Sequence, residues 1–239
     1  MTTEPCSPAV LLGRLRECDR ILPRPGTIRS PSIPTVPWDE FCDPAGPWLA
    51  RCVAEWQERG GFRHQRAGIV LVAFRFGWLA CCATVPEYHL GAPLPSLDGL
   101  RVAVTAEGRL SGLRPTGDQL DESSPQQWQE QLDRVFEPLT RALHALGGPA
   151  PESQEYWGNP VGSLGTVLWR LQRSGMPGDA IATARELRAA TGREHLLDID
   201  PERDPWPRRT TCCQWWRNHG SGYCEECVLW NSRARSNRR

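Results

Sequence analysis

The stretch AGIVLVAFRFGWLACCATV, residues 67–85, is the longest apolar run of the chain. It is about as long as a membrane-spanning helix. However, Arg75 lies in its middle, and an arginine at the centre of a bilayer costs roughly 2.5–3.5 kcal/mol on insertion scales. We therefore interpret the run as one or two buried helices and predict that the chain has no transmembrane segment.

Helical patterns also dominate the sequence on both sides of this run. Five further helices are predicted from a capping side chain or a first-turn proline followed by apolar residues at helical spacing. Their predicted starts are Ser7, Pro47, Ser124, Asn159 with Pro160 in the first turn, and Asp179. Glycines close the second, third and fifth of them, at Gly60, Gly147 and Gly192.

Two segments depart from this helical pattern. Residues 23–47 are rich in proline and are predicted to form an extended arm on the surface. Residues 100–115 alternate at Leu100, Val102 and Val104, turn at Glu107-Gly108 and resume at Leu110, which predicts a β-hairpin.

The predicted fold class is therefore α+β, with a small antiparallel hairpin or sheet in a predominantly helical domain. We assign residues 1–196 to this domain and its proline-rich arm. A polar linker near 197–207 leads into a compact C-terminal module, which we assign to residues 197–239.

The amino-acid composition of the chain excludes some classes of function. The 28 basic residues, all of them arginine, balance 28 acidic residues, so no overall charge attracts nucleic acid, and we expect none as a partner. The absence of lysine excludes Schiff-base chemistry by this chain. No charged-then-apolar signal segment opens the sequence, which favours the cytoplasm, where clustered cysteines indicate metal or redox roles.

Four of the ten cysteines lie in the segment CCQWWRNHGSGYCEEC, residues 212–227. Structural zinc sites usually combine two Cys-x2–4-Cys pairs, and only Cys224 and Cys227 have that spacing here. The adjacent Cys212 and Cys213 close awkwardly on a single small ion. They suit a 2Fe–2S cluster better, because it needs two thiolates on each of two irons.

The spacing Cys-Cys-x10-Cys-x2-Cys near the C-terminus resembles that of the ferric-siderophore reductases of the FhuF type, the ferric hydroxamate reductases. The sequence RRTTCC, residues 208–213, resembles the arginine-containing lead-in of that family. The sequence YWGN, residues 156–159, with Ser163 beyond it, resembles a second recurring patch. The resemblance is strong over roughly the last 30 residues and loose elsewhere. Gln214-Trp215-Trp216 and Val228 depart from the family pattern without changing a ligand.

The resemblance implies that the protein is an enzyme: a cytoplasmic 2Fe–2S oxidoreductase that reduces a ferric siderophore, of the hydroxamate type, by one electron. Cys212, Cys213, Cys224 and Cys227 would then be the cluster ligands. No nicotinamide or flavin motif is present, because the glycines of GNPVGSLG lack the first Gly-x-Gly. An external electron donor is therefore expected, such as a ferredoxin, a flavodoxin or a reductase.

Eight other residues are weaker candidates for a role at the site. Burial and hydrogen bonding tune an iron–sulfur potential, which makes four neighbours candidates for the cluster environment: Arg209, Trp215, Trp216 and Tyr223. Candidates for substrate binding are Trp157, Asn159, Ser163 and Arg75. Three of the last group also have a structural interpretation, since Trp157 suits a core, Asn159 a helix cap, and Arg75 an ion pair. We interpret the vicinal pair Cys81-Cys82 as buried apolar thiols.

Two other functions remain open from the sequence. One is a zinc-stabilised module that binds a protein partner or nucleic acid, favoured by the basic tail beside the cysteines. The other is an iron or redox sensor, because a sensor and a reductase can share the same ligands.

Overall fold

The structure is a computed structural model that describes residues 8–22, 33–115, 118, 120, 123–217 and 228. Within these residues the fold is α+β, as predicted: seven helices accompany two small antiparallel sheets. The helices are α1 (Pro8–Ile21), α2 (Trp38–Phe41), α3 (Pro47–Gly60), α4 (Gln65–His89), α5 (Pro125–Ala145), α6 (Gln154–Arg173) and α7 (Ala180–Ala190). The strands are β1 (Thr35–Pro37), β2 (Arg101–Val104), β3 (Leu110–Arg114), β4 (Leu197–Ile199) and β5 (Pro207–Arg209).

The apolar run forms a single helix, α4, at the centre of the fold. It packs against α3, α5, α6 and β3. The helix is long and apolar enough to cross a membrane, but 83% of its most apolar window is buried inside the protein. Burial in the core accounts for its composition, so no described helix needs a membrane to cover it.

The helices α3, α5 and α7 begin and end close to the capping residues that the sequence predicted. Ser124 and Gln127 form the capping box of α5, each side chain accepting a hydrogen bond of 3.2 Å from the other residue's backbone N–H. The carboxylate of Asp179 accepts a bond of 2.9 Å from the backbone of Ala182 at the start of α7. Gly61, with φ of 61°, ends α3 in the left-handed conformation that glycine adopts without a steric penalty. The predicted cap of α1, Ser7, lies outside the described residues.

The predicted start of α6 at Asn159 is wrong. The helix begins five residues earlier, at Gln154, and the hydroxyl of Ser153 caps it by accepting from the N–H of Glu155 at 3.2 Å. Asn159 therefore lies inside the helix, where its amide donates to the carbonyl of Glu155 at 2.9 Å. An Asn-Pro pair is a common helix start, but here tertiary packing maintains a helix through Pro160.

The predicted hairpin is present as β2 and β3, and a third strand joins it. β1 pairs antiparallel with β2, so that Val36 faces Val102, which in turn faces Leu113. The predicted extended arm is thus wrong for residues 35–41, where β1 and the single turn of α2 belong to the packed fold. The arm's residues 23–32 lie outside the described part of the chain.

Residues 197–207, predicted to be a polar linker, lie in a second hairpin. β4 and β5 pair antiparallel, with Leu197 opposite Arg209 and Asp198 opposite Arg208. Both strands pack against α6. The hairpin therefore holds the chain that enters the cysteine segment against the helical core. The division into two domains stays a prediction.

Candidate metal centre

The first cysteine pair follows β5 directly. Cys213 is 3% exposed, whereas Cys212 is half-buried. Gln214 then adopts a φ of 64°, a conformation uncommon for residues other than glycine, and its backbone N–H donates to the Cys212 sulfur at 3.4 Å. A backbone N–H directed at a cysteine sulfur is one means by which proteins stabilise a bound thiolate and tune a metal centre.

The described residues hold only part of the predicted ligand set. The predicted ligands Cys224 and Cys227 lie outside the described residues, and so does Tyr223, a predicted neighbour of the cluster. Within the described part of the chain, no group of three or more His, Cys, Asp or Glu side chains could hold a metal. Cys212 and Cys213 nevertheless fit a thiolate-bound metal by their chemistry, because they are soft donors at the boundary between the protein interior and solvent.

Arg209 fixes the strand that leads into this pair. Its side chain is buried, with 2% of the residue exposed, and its guanidinium forms four hydrogen bonds to α6. Nη1 donates to the carbonyl of Gly158 at 3.2 Å and to Oδ1 of Asn159 at 3.1 Å. Nη2 donates to the carbonyl of Asn159 and to Oγ of Ser163, both at 3.2 Å. Two predicted substrate-binding residues, Asn159 and Ser163, are thus brought together by a predicted cluster neighbour.

Three glycines of α6 form a groove for this strand, a feature that the sequence reasoning missed. A Cβ atom on Gly162 would lie 2.6 Å from Nε of Arg209, and one on Gly165 would lie 2.7 Å from Pro207. A Cβ on Gly158 would likewise collide with Thr211. The sequence signal that could have revealed the groove is the spacing of these glycines, because residues 158, 162 and 165 share one helix face.

Aromatic rings connect the cysteine segment with the core. The ring centroid of Trp215 lies 5.8 Å from that of Phe74 on α4 and 5.9 Å from that of Trp56 on α3. The guanidinium of Arg209 lies over the Phe74 ring at 5.2 Å. Trp216 is 37% exposed and carries the Arg217 guanidinium 4.8 Å from its ring centroid. Of the two predicted tryptophans, Trp215 therefore anchors the segment, and Trp216 faces solvent.

Arg75 lies on α4 one residue from Phe74, in a half-buried position. Its Nε donates to the carbonyl of Leu110 at 3.2 Å. Burial is the main cause that lowers the pKa of Arg75; Cys82 opposes this effect, and the charge of Arg59 lowers the pKa further. The guanidinium is thus partly removed from water.

Trp157, on α6, lies in the core between Phe136 of α5 and Arg193. It is 3% exposed, and its Nε1 donates to the carbonyl of Pro151 at 3.1 Å. Its ring packs edge-on to Phe136 at 4.9 Å, and the Arg193 guanidinium lies 3.8 Å from its centroid. These contacts agree with the structural interpretation of Trp157 as a core residue.

The second vicinal pair, Cys81 and Cys82, is fully buried on α4, as predicted. The Cys81 thiol donates to the carbonyl of Pro160 at 3.3 Å. Burial raises the pKa of Cys81 to about 12, although the charge of Arg209 opposes this effect. A thiol in this environment remains protonated and does not resemble a metal ligand.

Neither a scan of protein-family models nor a search of curated proteins found a match for this chain. The resemblance to ferric hydroxamate reductases therefore rests on the two sequence motifs alone and stays an expectation.

Proposed function

We propose that the protein is a ferric-siderophore reductase whose metal centre is a 2Fe–2S cluster held by Cys212, Cys213, Cys224 and Cys227. The observation that supports this best is the contact between Arg209 and Asn159. These residues lie in the two stretches that resemble the reductase family, 50 residues apart in sequence, and they are directly hydrogen-bonded. Two motifs that serve one site are expected to meet in this way.

The proposed reaction is the reduction of an Fe(III) chelate to Fe(II) by one electron. Hard hydroxamate oxygens hold Fe(III) tightly and Fe(II) far more weakly, so the metal leaves and the chelator stays intact. When bound by the four thiolates, a 2Fe–2S cluster supplies one-electron chemistry. An external ferredoxin, flavodoxin or reductase in the cytoplasm supplies the electron.

The described residues contribute position and environment to this reaction. Arg209 holds β5 in the glycine groove and so sets where Cys212 and Cys213 lie. Its buried positive charge favours any more negative, reduced state of a nearby centre. Trp215 packs against Trp56 and Phe74 and so anchors the residues that follow the cysteine pair to the core.

Electron transfer to a ferric chelate tests the function directly. The protein is purified anaerobically, reduced with dithionite, desalted, and mixed with a ferric trihydroxamate and a chromophoric Fe(II) trap. We expect about one trapped Fe(II) per cluster, because a 2Fe–2S centre stores one electron. The matched control is Cys213→Ala, which is expected to release no Fe(II) above the level of chelate with trap alone.

Two results would contradict the proposal. One is a reduced protein that transfers no electron to the chelate although its cluster is intact, which favours the sensor. The other is a colourless protein with stoichiometric zinc, which favours the binding module.

A further inference from the structure

Arg75 on α4 is recessed into the protein beside the candidate centre. Arg75 is half-buried on α4, and the contacts that the structure gives it among the described residues include the Leu110 carbonyl but no carboxylate. A guanidinium that loses water without gaining a counter-ion is unfavourable. Such a site is stabilised when an anion occupies it.

Two further arginines, Arg59 and Arg109, add to the positive charge around Arg75. Arg59 and Arg109 both contact the same oxygen of Glu55, with Nε to Oε1 distances of 3.5 Å and 3.0 Å. We call Arg59, Arg75 and Arg109, with Glu55, the arginine face. Within the described residues, Arg59 and Arg109 share the Glu55 carboxylate, and Arg75 contacts no carboxylate. The face therefore carries an excess of positive charge in a protein whose overall charge is zero.

The arginine face adjoins the cysteine segment through stacked side chains. The Arg59 guanidinium lies 4.0 Å from the centroid of the Trp56 ring, and Trp56 packs edge-on against Trp215. Trp215 follows Cys213 by two residues and also contacts Phe74, the neighbour of Arg75. A ligand bound at the arginine face would lie next to the candidate metal centre.

We propose that the arginine face binds a carboxylate of the ferric chelate that is not coordinated to iron, so that the preferred substrate is an anionic hydroxamate. This inference rests on the proposed reductase function. A guanidinium fork binds a carboxylate through two parallel hydrogen bonds, and Arg75 retains its Nη atoms for that purpose after Nε has bonded Leu110. A recessed guanidinium suits a small ligand better than a protein surface, because a side chain of a docked protein would have to reach into the fold.

The test uses one chelator in three charge states. A linear trihydroxamate with a terminal primary amine forms a positive iron complex; its N-acetyl derivative is neutral, and its N-succinyl derivative is negative. The iron coordination is the same in all three. Gallium(III) complexes report binding alone, by isothermal titration calorimetry, because gallium is not reduced. The Fe(III) complexes report reduction through the Fe(II) trap.

We expect the succinyl complex to bind about 10- to 100-fold more tightly than the acetyl complex, the effect of a charge-assisted hydrogen bond. Arg75→Gln should bring the two affinities to within about twofold, and Arg59→Gln should reduce the preference in part. The matched control is Arg141→Gln on α5. Arg141 pairs with Glu137 at 3.6 Å in the same i,i+4 arrangement as Arg59 with Glu55, and its loss should leave the preference unchanged.

The outcomes separate this inference from the proposed function. Equal binding of the succinyl and acetyl complexes by the wild-type protein overturns the inference, even if Arg75→Gln does not fold. A succinyl preference that survives in folded Arg75→Gln also overturns it. Reduction of all three complexes without a charge preference supports the reductase and rejects the arginine face. A charge preference in gallium binding without any iron reduction supports the face and rejects the reductase.

Discussion

Nη1 of Arg209 lies 3.1 Å from Oδ1 of Asn159, and this bond joins the strand before the first cysteine pair to the middle of α6. The same guanidinium bonds the carbonyls of Gly158 and Asn159, oxygens that lie inside a helix containing Pro160. The position of Cys212 and Cys213 therefore depends on a helix that begins more than 50 residues before them in the chain.

Replacing Arg209 tests this dependence. Arg209→Met should lower the free energy of unfolding by about 3 kcal/mol, because buried oxygens on α6 lose their donors. Ser163→Ala should cost only about 1 kcal/mol, because Arg209 keeps its other bonds. Urea unfolding followed by tryptophan fluorescence measures both. Equal midpoints for Arg209→Met and the wild type would show that the guanidinium does not hold the strand.

Replacing a helical glycine with alanine should have opposite effects on stability inside and outside the glycine groove. Gly162→Ala should destabilise the protein by about 1–3 kcal/mol, because its Cβ would overlap the Arg209 side chain. Gly13→Ala on α1 should instead stabilise it by up to about 1 kcal/mol, because no atom lies within 4 Å of that Cβ and alanine has the higher helix propensity. Thermal melts distinguish them. A stabilising Gly162→Ala would contradict the close approach of β5 to α6.

The two vicinal cysteine pairs provide a matched comparison of metal ligation. Cys213 and Cys82 are each the second member of a pair and are 3% and 0% exposed. Cys213→Ala should abolish bound iron and the visible absorption, whereas Cys82→Ala should retain both and lose only about 1 kcal/mol of stability. Iron analysis and absorption spectra measure the outcome. An unchanged spectrum for Cys213→Ala would reject the ligand assignment.

We expect His89 to make the free energy of unfolding depend on pH below neutral pH. Burial lowers the pKa of His89 beneath its usual 6.5, although a hydrogen bond with the backbone of Pro177 and the charge of Asp179 oppose this effect. The unfolded chain binds a proton at about pH 6.5 and the folded protein only at lower pH, so His89 contributes stability above pH 6.5 that is lost as the pH falls. His89→Gln should therefore show a smaller decrease in melting temperature than the wild type between about pH 7.5 and pH 5.5. Parallel decreases in both proteins would contradict this.

Features encoded by neighbouring residues could be predicted from the sequence. The capping box at Ser124 and the Asp179 cap depend on side chains within three residues of the bonds that they form. The buried character of α4 follows from its long apolar run together with the central position of Arg75. Asn159-Pro160 also carries a local signal, but it was misleading, because the packing of α4 against Pro160 keeps the helix continuous.

Features that depend on distant partners could not be predicted in this way. β1, β4 and β5 have three residues each, too few to show an alternating pattern, and their existence depends on pairing such as Val36 with Val102. The contact of Arg209 with Asn159 likewise requires the hairpin to fold onto α6. The sequence identified both residues as candidates but assigned them to different roles.

The central claim is that the four C-terminal cysteines hold an electron-transferring 2Fe–2S cluster. The most direct test is an anaerobic ultraviolet–visible spectrum of the purified protein, with iron and zinc analysis. The spectrum is recorded as isolated, after dithionite reduction, and after a ferric hydroxamate is added once excess dithionite is removed. We expect two irons per chain and visible bands that bleach on reduction and return with the chelate. A colourless protein with one zinc per chain would contradict it.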